Sequence, residues 1–346
     1  EMAYGAAFRR AGVIRADDFE ALFDYCTAFA MQPIPTGDRV AVITNAGGPG
    51  IVAADALENN DLPLATLSDE TVTALRSFLP PMASVANPVD ILGDATPERY
   101  QRAMDILLHD AGVDVILVLL TPQAMTQPLE TAQALGRLER YSKPVLASFM
   151  GGYEVVPARN TLMECGITEF SIPERAVRVI KAMVEYGRWC RRPPRIIHRF
   201  PVNRRRVERI LGRYKRMGVR QVLEPDAKAL LRAYDFRVLP GAMARNGEEA
   251  VAVADRLGYP VAVKIVSPDI VHKSDVGGVR LHLMNADQIK DAVDLILLRV
   301  SQKRPKSTLL GVYVEKMIPP GRELILGMHR DPQFGPMLMF GLGGIF

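Results

Sequence analysis

The residues best suited to chemistry lie between Pro260 and Leu281, in the run PVAVKIVSPDIVHKSDVGGVRL. A β-like run, Val261 to Val263, delivers Lys264; His272 follows, beside Lys273, Ser274 and Asp275, and then the pair Gly277 and Gly278. A fixed cation, a titratable imidazole and a glycine turn at this spacing suit phosphate handling. Lys264 sits within an apolar strand, where an unpaired buried ammonium is costly. An internal anion such as a nucleotide phosphate relieves that cost, and snorkelling to the surface is the alternative. His272 has four readings: core residue, surface residue, metal ligand or phosphoryl acceptor. No second His or Cys stands at ligand spacing, which disfavours metal. Acid–base work suits an imidazole that titrates near neutrality. Covalent catalysis needs a neutral ring nitrogen on an accessible loop, with donors to hold the phosphoryl group. Lys273, Ser274 and the Gly277–Gly278 backbone offer such donors, yet on spacing alone a surface histidine is the commoner outcome.

A second candidate is NAGGPG, from Asn45 to Gly50, which follows a strand and opens a helix. Glycines such as Gly47 and Gly48 let backbone N–H groups approach an anion, and the helix N-terminus adds partial positive charge. The pattern is neither GxGxxG nor a Walker A loop. A tight strand-to-helix turn needing positive φ explains it equally well. Asp90 and the pair Gly151–Gly152 stand at other strand ends, where a capping role competes with a functional one. Glu315 and Glu323 flank a Pro-Pro-Gly turn, with Arg322 adjacent. On strands lining a nucleotide cleft, the carboxylates would meet ribose hydroxyls or Mg2+ and the arginine phosphates, but periodicity does not decide this. Gly341–Gly344 is a weak glycine signal.

Two or more domains must position these residues, because 346 residues exceed a single ordinary core. The composition, 48% hydrophobic and 24% charged, is that of a soluble globular chain. Apolar runs are strand-sized, with no signal peptide or membrane span. Cys26, Cys165 and Cys190 lie far apart, which argues against a disulfide framework or zinc site and fits a reducing compartment. The chain starts at Glu1 without Met and stops at Phe346 after a glycine-rich turn, so it reads as an internal piece of a longer protein. Net charge is +4, yet thirteen Lys and Arg against Glu208 between Arg188 and Arg220 make that connector +12 and the remainder −8.

Residues 1–32 read as a helical tail whose apolar face (Phe19, Leu22, Phe23, Cys26) has no local partner and closes an upstream domain. From 33 to 190, strand runs at Arg39–Thr44, Leu62–Thr66, Val85–Ile91, Asp114–Leu119, Pro144–Phe149 and Ile167–Ile172 alternate with helical segments. Those segments are Gly50–Asn59, Asp69–Phe78, Pro97–Leu108, Gln127–Tyr141, Glu154–Cys165 and Pro173–Trp189. The alternation predicts an α/β, flavodoxin-like domain with a parallel sheet in three layers. Residues 191–224 form a basic linker with a helix from Arg204 to Met217, striped by Val207, Ile210, Leu211 and Tyr214. Nucleic acid or membrane binding competes there with a docked linker helix, and the docked helix is preferred. From 225 onward an α+β domain is expected. Its helix is striped by Ala227, Leu230, Leu231 and Tyr234, and a strand follows at Phe236–Leu239. Helices capped by Asn246 and Asn285 come next, the second with core positions Ile289, Val293, Ile296 and Val300. Strands near Val279–Leu283, Leu310–Met317, Glu323–Met328 and Pro336–Phe340 complete it.

These residues in this order resemble the ADP-forming acyl-CoA synthetases, relatives of succinyl-CoA synthetase. YGAAFRRAGVI from Tyr4 is similar to the end of the family's second domain, and RVAVITNAGGPGIVAADA from Arg39 to the opening of its CoA-ligase domain. KIVSPDIVHKSDVGGV from Lys264 and GRELILGMHRDPQFGPMLMFGLGG from Gly321 resemble its ATP-grasp domain, present here only in its N-terminal part. The resemblance implies a cytoplasmic enzyme, homo- or hetero-oligomeric, that turns a small carboxylic acid, ATP and CoA into acyl-CoA, ADP and phosphate. Acyl phosphate and phosphohistidines are the implied intermediates, with Mg2+ as cofactor and no nucleic acid or membrane partner. It makes His272 the shuttle histidine and Lys264 a nucleotide-phosphate ligand. Glu315 then lies at the adenine–ribose side, Glu323 and Arg322 lie near the nucleotide, and the Asn45–Gly48 turn faces the phosphohistidine. A second histidine and a CoA-binding domain are implied upstream of Glu1, and most Mg2+ ligands after Phe346. Two rivals are a lysine acetyltransferase that carries this module for ligand sensing and a non-catalytic nucleotide-binding scaffold.

Overall fold

The computed structural model describes residues 2–138, 143–194, 196 and 200–343. The chain divides into two compact units, Glu1–Pro194 with Met328–Met337, and Arg195–Gly327 with Leu338–Phe346.

In the first unit, helices α1 (Met2–Ala11) and α2 (Phe19–Met31) precede an α/β body. Its strands are β1 (Val40–Thr44), β2 (Val89–Asp90), β3 (Val115–Leu120), β4 (Val145–Phe149) and β5 (Thr168–Glu169). Its helices are α3 (Gly47–Asn59), α4 (Asp69–Arg76), α5 (Pro97–His109), α6 (Pro128–Gly136), α7 (Val156–Glu164) and α8 (Pro173–Cys190). The sheet is parallel in the order β2-β1-β3-β4-β5. Every residue of β1, β3 and β4 is buried because helices cover both faces, so these strands read as unbroken apolar runs. Along β1, Ala41 and Ile43 enter one core with Ile116 and Val118. Val40 and Val42 enter the opposite core with Leu117 and the α8 residues Val177 and Ile180.

Three expectations change here. Leu62–Thr66 forms no strand beyond a single bridge from Leu64 to Val40. Pro63 has no N–H to extend a ladder. The Asn87 side chain fills the gap, accepting from Val42 N at 2.9 Å and donating to the carbonyls of Val40 and Ala65. The Val85–Ile91 run pairs only through Val89 and Asp90. Helix α6 stops at Gly136, and residues 139–141 of the expected helix lie outside the described residues. The apolar face expected on α2 indeed has no local partner among the described residues, and the helix turns a different face to α8. It packs on α8 through Tyr25, Ala28 and Phe29, with Phe29 edge-on to Tyr186 at 5.4 Å and Asp24 bidentate to Arg175 at 2.7 and 3.0 Å. Phe19, Leu22 and Phe23 stay exposed.

The second unit holds α9 (Arg204–Arg216), α10 (Glu224–Ala233), β6 (Gly241–Ala244), α11 (Gly247–Leu257), β7 (Val261–Val266), β8 (Val279–Leu283), α12 (Ala286–Lys303) and β9 (Gly311–Lys316). The strands form an antiparallel sheet, β6-β9-β7-β8. A separate two-stranded sheet joins β10 (Leu324–Asp331) to β11 (Gly335–Leu342). Asn246 and Asn285 cap α11 and α12 by accepting from the N–H three residues on, and Gly258 ends α11 at φ 75°. Ile289, Val293, Ile296 and Val300 are all buried against Val263, Ile265, Val312 and Val314. The strand expected at Phe236–Leu239 lies instead at Gly241–Ala244. The Phe236 N–H closes α10 onto Leu231 O, and Pro240 offers no N–H, so pairing begins one residue later. Helix α9 is docked on α10 by Val207 and by Tyr214, whose hydroxyl donates to Asp226 at 2.6 Å.

Candidate active site

Period-two alternation in the second unit's sheet sends Val263 and Ile265 of β7, and Val312 and Val314 of β9, into the core. Lys264, Tyr313 and Glu315 therefore take the other face, with Lys264 opposite Tyr313 in register. Gly241 of β6 makes room for that tyrosine, since a Cβ there would meet the Tyr313 ring at 2.7 Å. Glu224 and Lys228, one turn apart on α10, reach the same face.

Five charged side chains converge. Lys264 Nζ donates to Glu315 Oε2 at 2.7 Å and to Glu224 Oε1 at 3.0 Å. Lys273 Nζ donates to Glu224 Oε2 at 2.8 Å. Lys228 bonds Glu315, stands 3.5 Å from Glu224 Oε1 and lies 4.8 Å over the Tyr313 ring. Glu315 is only 5% exposed. Three ammonium groups face two carboxylates, so the cluster keeps one uncompensated positive charge and suits an additional anion. The internal anion that Lys264 requires is thus supplied by the protein's own carboxylates. Burial and the neighbouring Lys264 charge push the Lys228 ammonium down from its ordinary range.

Burial would raise the Glu224 carboxyl, but hydrogen bonds from Lys273 and Lys264, with their charges, bring it from 4.5 to about 2. A folded value below the unfolded one means that the stabilisation is complete above pH 4.5 and lost as pH falls through 2. It amounts to about 3 kcal/mol. Acid unfolding between pH 5 and 2 is expected to follow this slope, and Glu224→Gln to flatten it; an equal slope in both proteins refutes the assignment.

His272 is exposed in the loop between β7 and β8, next to Lys273. Gly277 adopts φ 72°, and a Cβ on Gly278 would strike Ile265 at 2.5 Å, so both glycines are required by the turn. Their N–H groups already bond the carbonyls of Ser274 and Lys273 at 3.0 and 2.8 Å. As folded, the loop therefore does not offer these two donors to a phosphoryl group, contrary to the sequence expectation. Arg322 and Glu323 are exposed between β9 and β10. Among the described residues, no hydrogen bond or ion pair joins their side chains to the cluster. Gly344 lies outside the described residues.

In the first unit, β2 lies on one side of β1 and β3 on the other, which makes the carboxyl ends of β1 and β3 the topological switch point. Asn45 sits there, 2% exposed, exchanging hydrogen bonds with both the N–H and the C=O of Thr121 at 2.9 and 2.8 Å. It braces the two strand ends rather than presenting its amide to an anion. Gly47 and Gly48 open α3 without positive φ, and the Ala46 N-cap has no side-chain partner for the first N–H groups. A Cβ on Gly48 would meet nothing within 4 Å. Neither glycine is demanded by the turn. Asp90 stands beside Gly47, its Oδ1 accepting from Leu92 N at 2.9 Å. The Gly152 N–H is taken by Glu154.

Sequence reasoning missed Glu224 and Lys228. The Glu-to-Lys step of four residues on α10 was the available signal. Among the described residues, no three His, Cys, Asp or Glu side chains converge as a metal cage. Nor is any described helix long and apolar enough to cross a membrane.

The Ligase-CoA domain model matches residues 40–196, and the ATP-grasp domain model residues 213–346. Residues 40–196 are thus an α/β CoA-ligase domain and residues 213–346 belong to an α+β ATP-grasp domain. Acetate–CoA ligase (ADP-forming) I of Archaeoglobus fulgidus is 42% identical over 346 residues, 99% of this chain and 49% of the relative. 4-Hydroxybutyrate–CoA ligase (ADP-forming) of Nitrosopumilus maritimus is 35% identical over 348 residues, covering 99% and 49%. Among solved structures, the dinucleotide forming acetyl-coenzyme A synthetase 1 of Ca. Korarchaeum cryptofilum, in complex with phosphate and ADP, matches with a TM-score of 0.51 at 33% identity. The match covers 54% of this chain and 41% of that one. The chain belongs to the ADP-forming acyl-CoA synthetase family. It spans about half the length of these curated relatives.

Proposed function

We propose that the full-length protein is an ADP-forming acid–CoA ligase, converting a small carboxylic acid, ATP and CoA to acyl-CoA, ADP and phosphate. The observation that carries this reading is the lysine cluster of Lys228, Lys264 and Lys273, one positive charge in excess, joined through Lys273 to the loop that bears His272. The relatives named for ADP-forming ligases, and the neighbour solved with ADP and phosphate, support it.

In the forward direction the phosphoryl group leaves ATP first, passes through phosphohistidine to the acid's carboxylate as acyl phosphate, and the CoA thiol then displaces phosphate to give acyl-CoA. In the half-reaction assigned to this segment, a neutral imidazole nitrogen of His272 attacks the γ-phosphorus of ATP. A P–N bond forms, the bond to the β–γ bridging oxygen breaks, and ADP leaves with that electron pair. Running backward, phospho-His272 returns its phosphoryl group to ADP. Such a transfer asks the protein mainly for positioning and charge compensation. Lys264, Lys228 and Lys273 supply cations, and Glu315 holds two of them in place. Arg322 and Glu323 are assigned to the nucleotide by family likeness alone, as is the backbone at Gly47 and Gly48 to a phosphorylated group.

Relatives named for acetate and 4-hydroxybutyrate support a carboxylic acid as the substrate class. The full-length protein with γ-labelled ATP and Mg2+ is expected to become labelled on histidine, stable in base and lost in acid. Acid and CoA are then expected to yield acyl-CoA and ADP. Nucleotide binding with no phosphoenzyme and no acyl-CoA would leave a nucleotide-binding scaffold instead.

A further inference from the structure

Glu224 is placed to do more than neutralise a lysine. Its Oε1 accepts from Lys264 of β7, and its Oε2 accepts from Lys273, the residue after His272. The loop is anchored at both shoulders, by buried Ile270 and Val276 and by the Asp269 carboxylate, which accepts from Thr308 N at 2.6 Å. Between the shoulders, Val271, His272, Ser274 and Asp275 are exposed. Among the described residues, two side chains from beyond the loop bond this tip: Lys303, whose Nζ donates to the Asp275 carbonyl at 3.1 Å, and Glu224, through its ion pair with Lys273. Only the second leads to the Lys264 cluster.

Resting on the reading that His272 is phosphorylated from a nucleotide bound at that cluster, we propose that Glu224 is a positioning residue. It holds the His272 loop at the lysine cluster by bridging Lys273 to Lys264. The physical grounds are threefold. Its two oxygens have separate partners, one on the rigid strand and one on the exposed tip, so a single carboxylate fixes the distance between them. Being a carboxylate, it repels a nucleotide's phosphates, so affinity for the nucleotide is not what it supplies. Its strongly favoured ionised form keeps the bridge closed throughout the neutral range.

The test compares full-length wild type, Glu224→Gln, Lys273→Met and Lys273→Arg. Without nucleotide, hydrogen exchange of segment 268–278, including the Gly277 and Gly278 amides, is expected to quicken about tenfold in Glu224→Gln and Lys273→Met. Exchange in β7 and β9 is expected to stay unchanged, and Lys273→Arg to restore slow exchange. Labelling of His272 from γ-labelled ATP is expected to slow by about 10- to 100-fold in Glu224→Gln, while ADP binds as tightly as before or tighter. Loop exchange equal to wild type in both disrupted variants overturns the proposal. So does weakened ADP binding in Glu224→Gln, which would make Glu224 a nucleotide ligand. If Glu224→Gln does not fold, Lys273→Met breaks the same bridge while leaving Glu224 on Lys264. Absence of phosphoenzyme in the wild type would sink the functional reading, whereas loop exchange in the nucleotide-free protein still decides the tether.

Discussion

Replacing His272 with alanine in the full-length protein is expected to abolish phosphorylation from ATP. Acyl-CoA synthesis should fall by at least about 10^3-fold, as for loss of a covalent nucleophile. The side chain is exposed, so stability is expected to move by no more than about 0.5 kcal/mol. ADP binding should survive, because the cations of Lys228, Lys264 and Lys273 are untouched. This combination distinguishes a carrier from a residue that merely shapes the site. Turnover of acid and CoA at the parental rate would remove His272 from the relay.

Lys264→Met should produce the reverse pattern, with stability and binding falling together. The substitution leaves buried Glu315 with Lys228 alone and takes one of the ammonium groups from Glu224. Losing one partner of a buried ion pair leaves desolvated charge behind, here about 3 kcal/mol of stability. ADP affinity is expected to fall about tenfold or more, the scale of one charged hydrogen bond to phosphate. Adding Glu315→Gln to Lys264→Met should recover much of the stability, since the stranded charge is gone, but none of the affinity. Denaturant unfolding and calorimetric ADP titration of the two proteins measure both quantities. Recovery of affinity in the double variant would show that Lys264 acts only as a counter-ion.

Much of the architecture was legible because its causes are local. The apolar runs of β1, β3 and β4 mark strands covered on both faces, and they proved buried throughout. Asn246, Asn285 and Gly258 act within a single turn of their helices, and Ile289, Val293, Ile296 and Val300 are one face of one helix. Errors fell where a distant or competing partner takes the backbone's hydrogen bonds. Asn87 occupies the edge that Leu62–Thr66 was expected to extend, and the Phe236 N–H closes a helix instead of joining a strand. Similarly, α2 meets α8 across more than 150 positions through Asp24 and Arg175, a pairing that no window along the chain contains.

The candidate site divides in the same way. By itself the sequence determined that Lys264 sits on an apolar strand and that His272 follows on a glycine-bounded loop, because strand period and turn chemistry are short-range. Only the tertiary structure decided what those residues face. Antiparallel pairing of β7 with β9 brings Glu315 to Lys264, and α10 carries Glu224 and Lys228 onto the same face. These partners meet because the opposite face of the sheet is buried against α11 and α12, which leaves the alternate side chains one surface to share. That arrangement also took the Gly277 and Gly278 amides out of the list of free donors and made Lys273 the tether of the histidine loop.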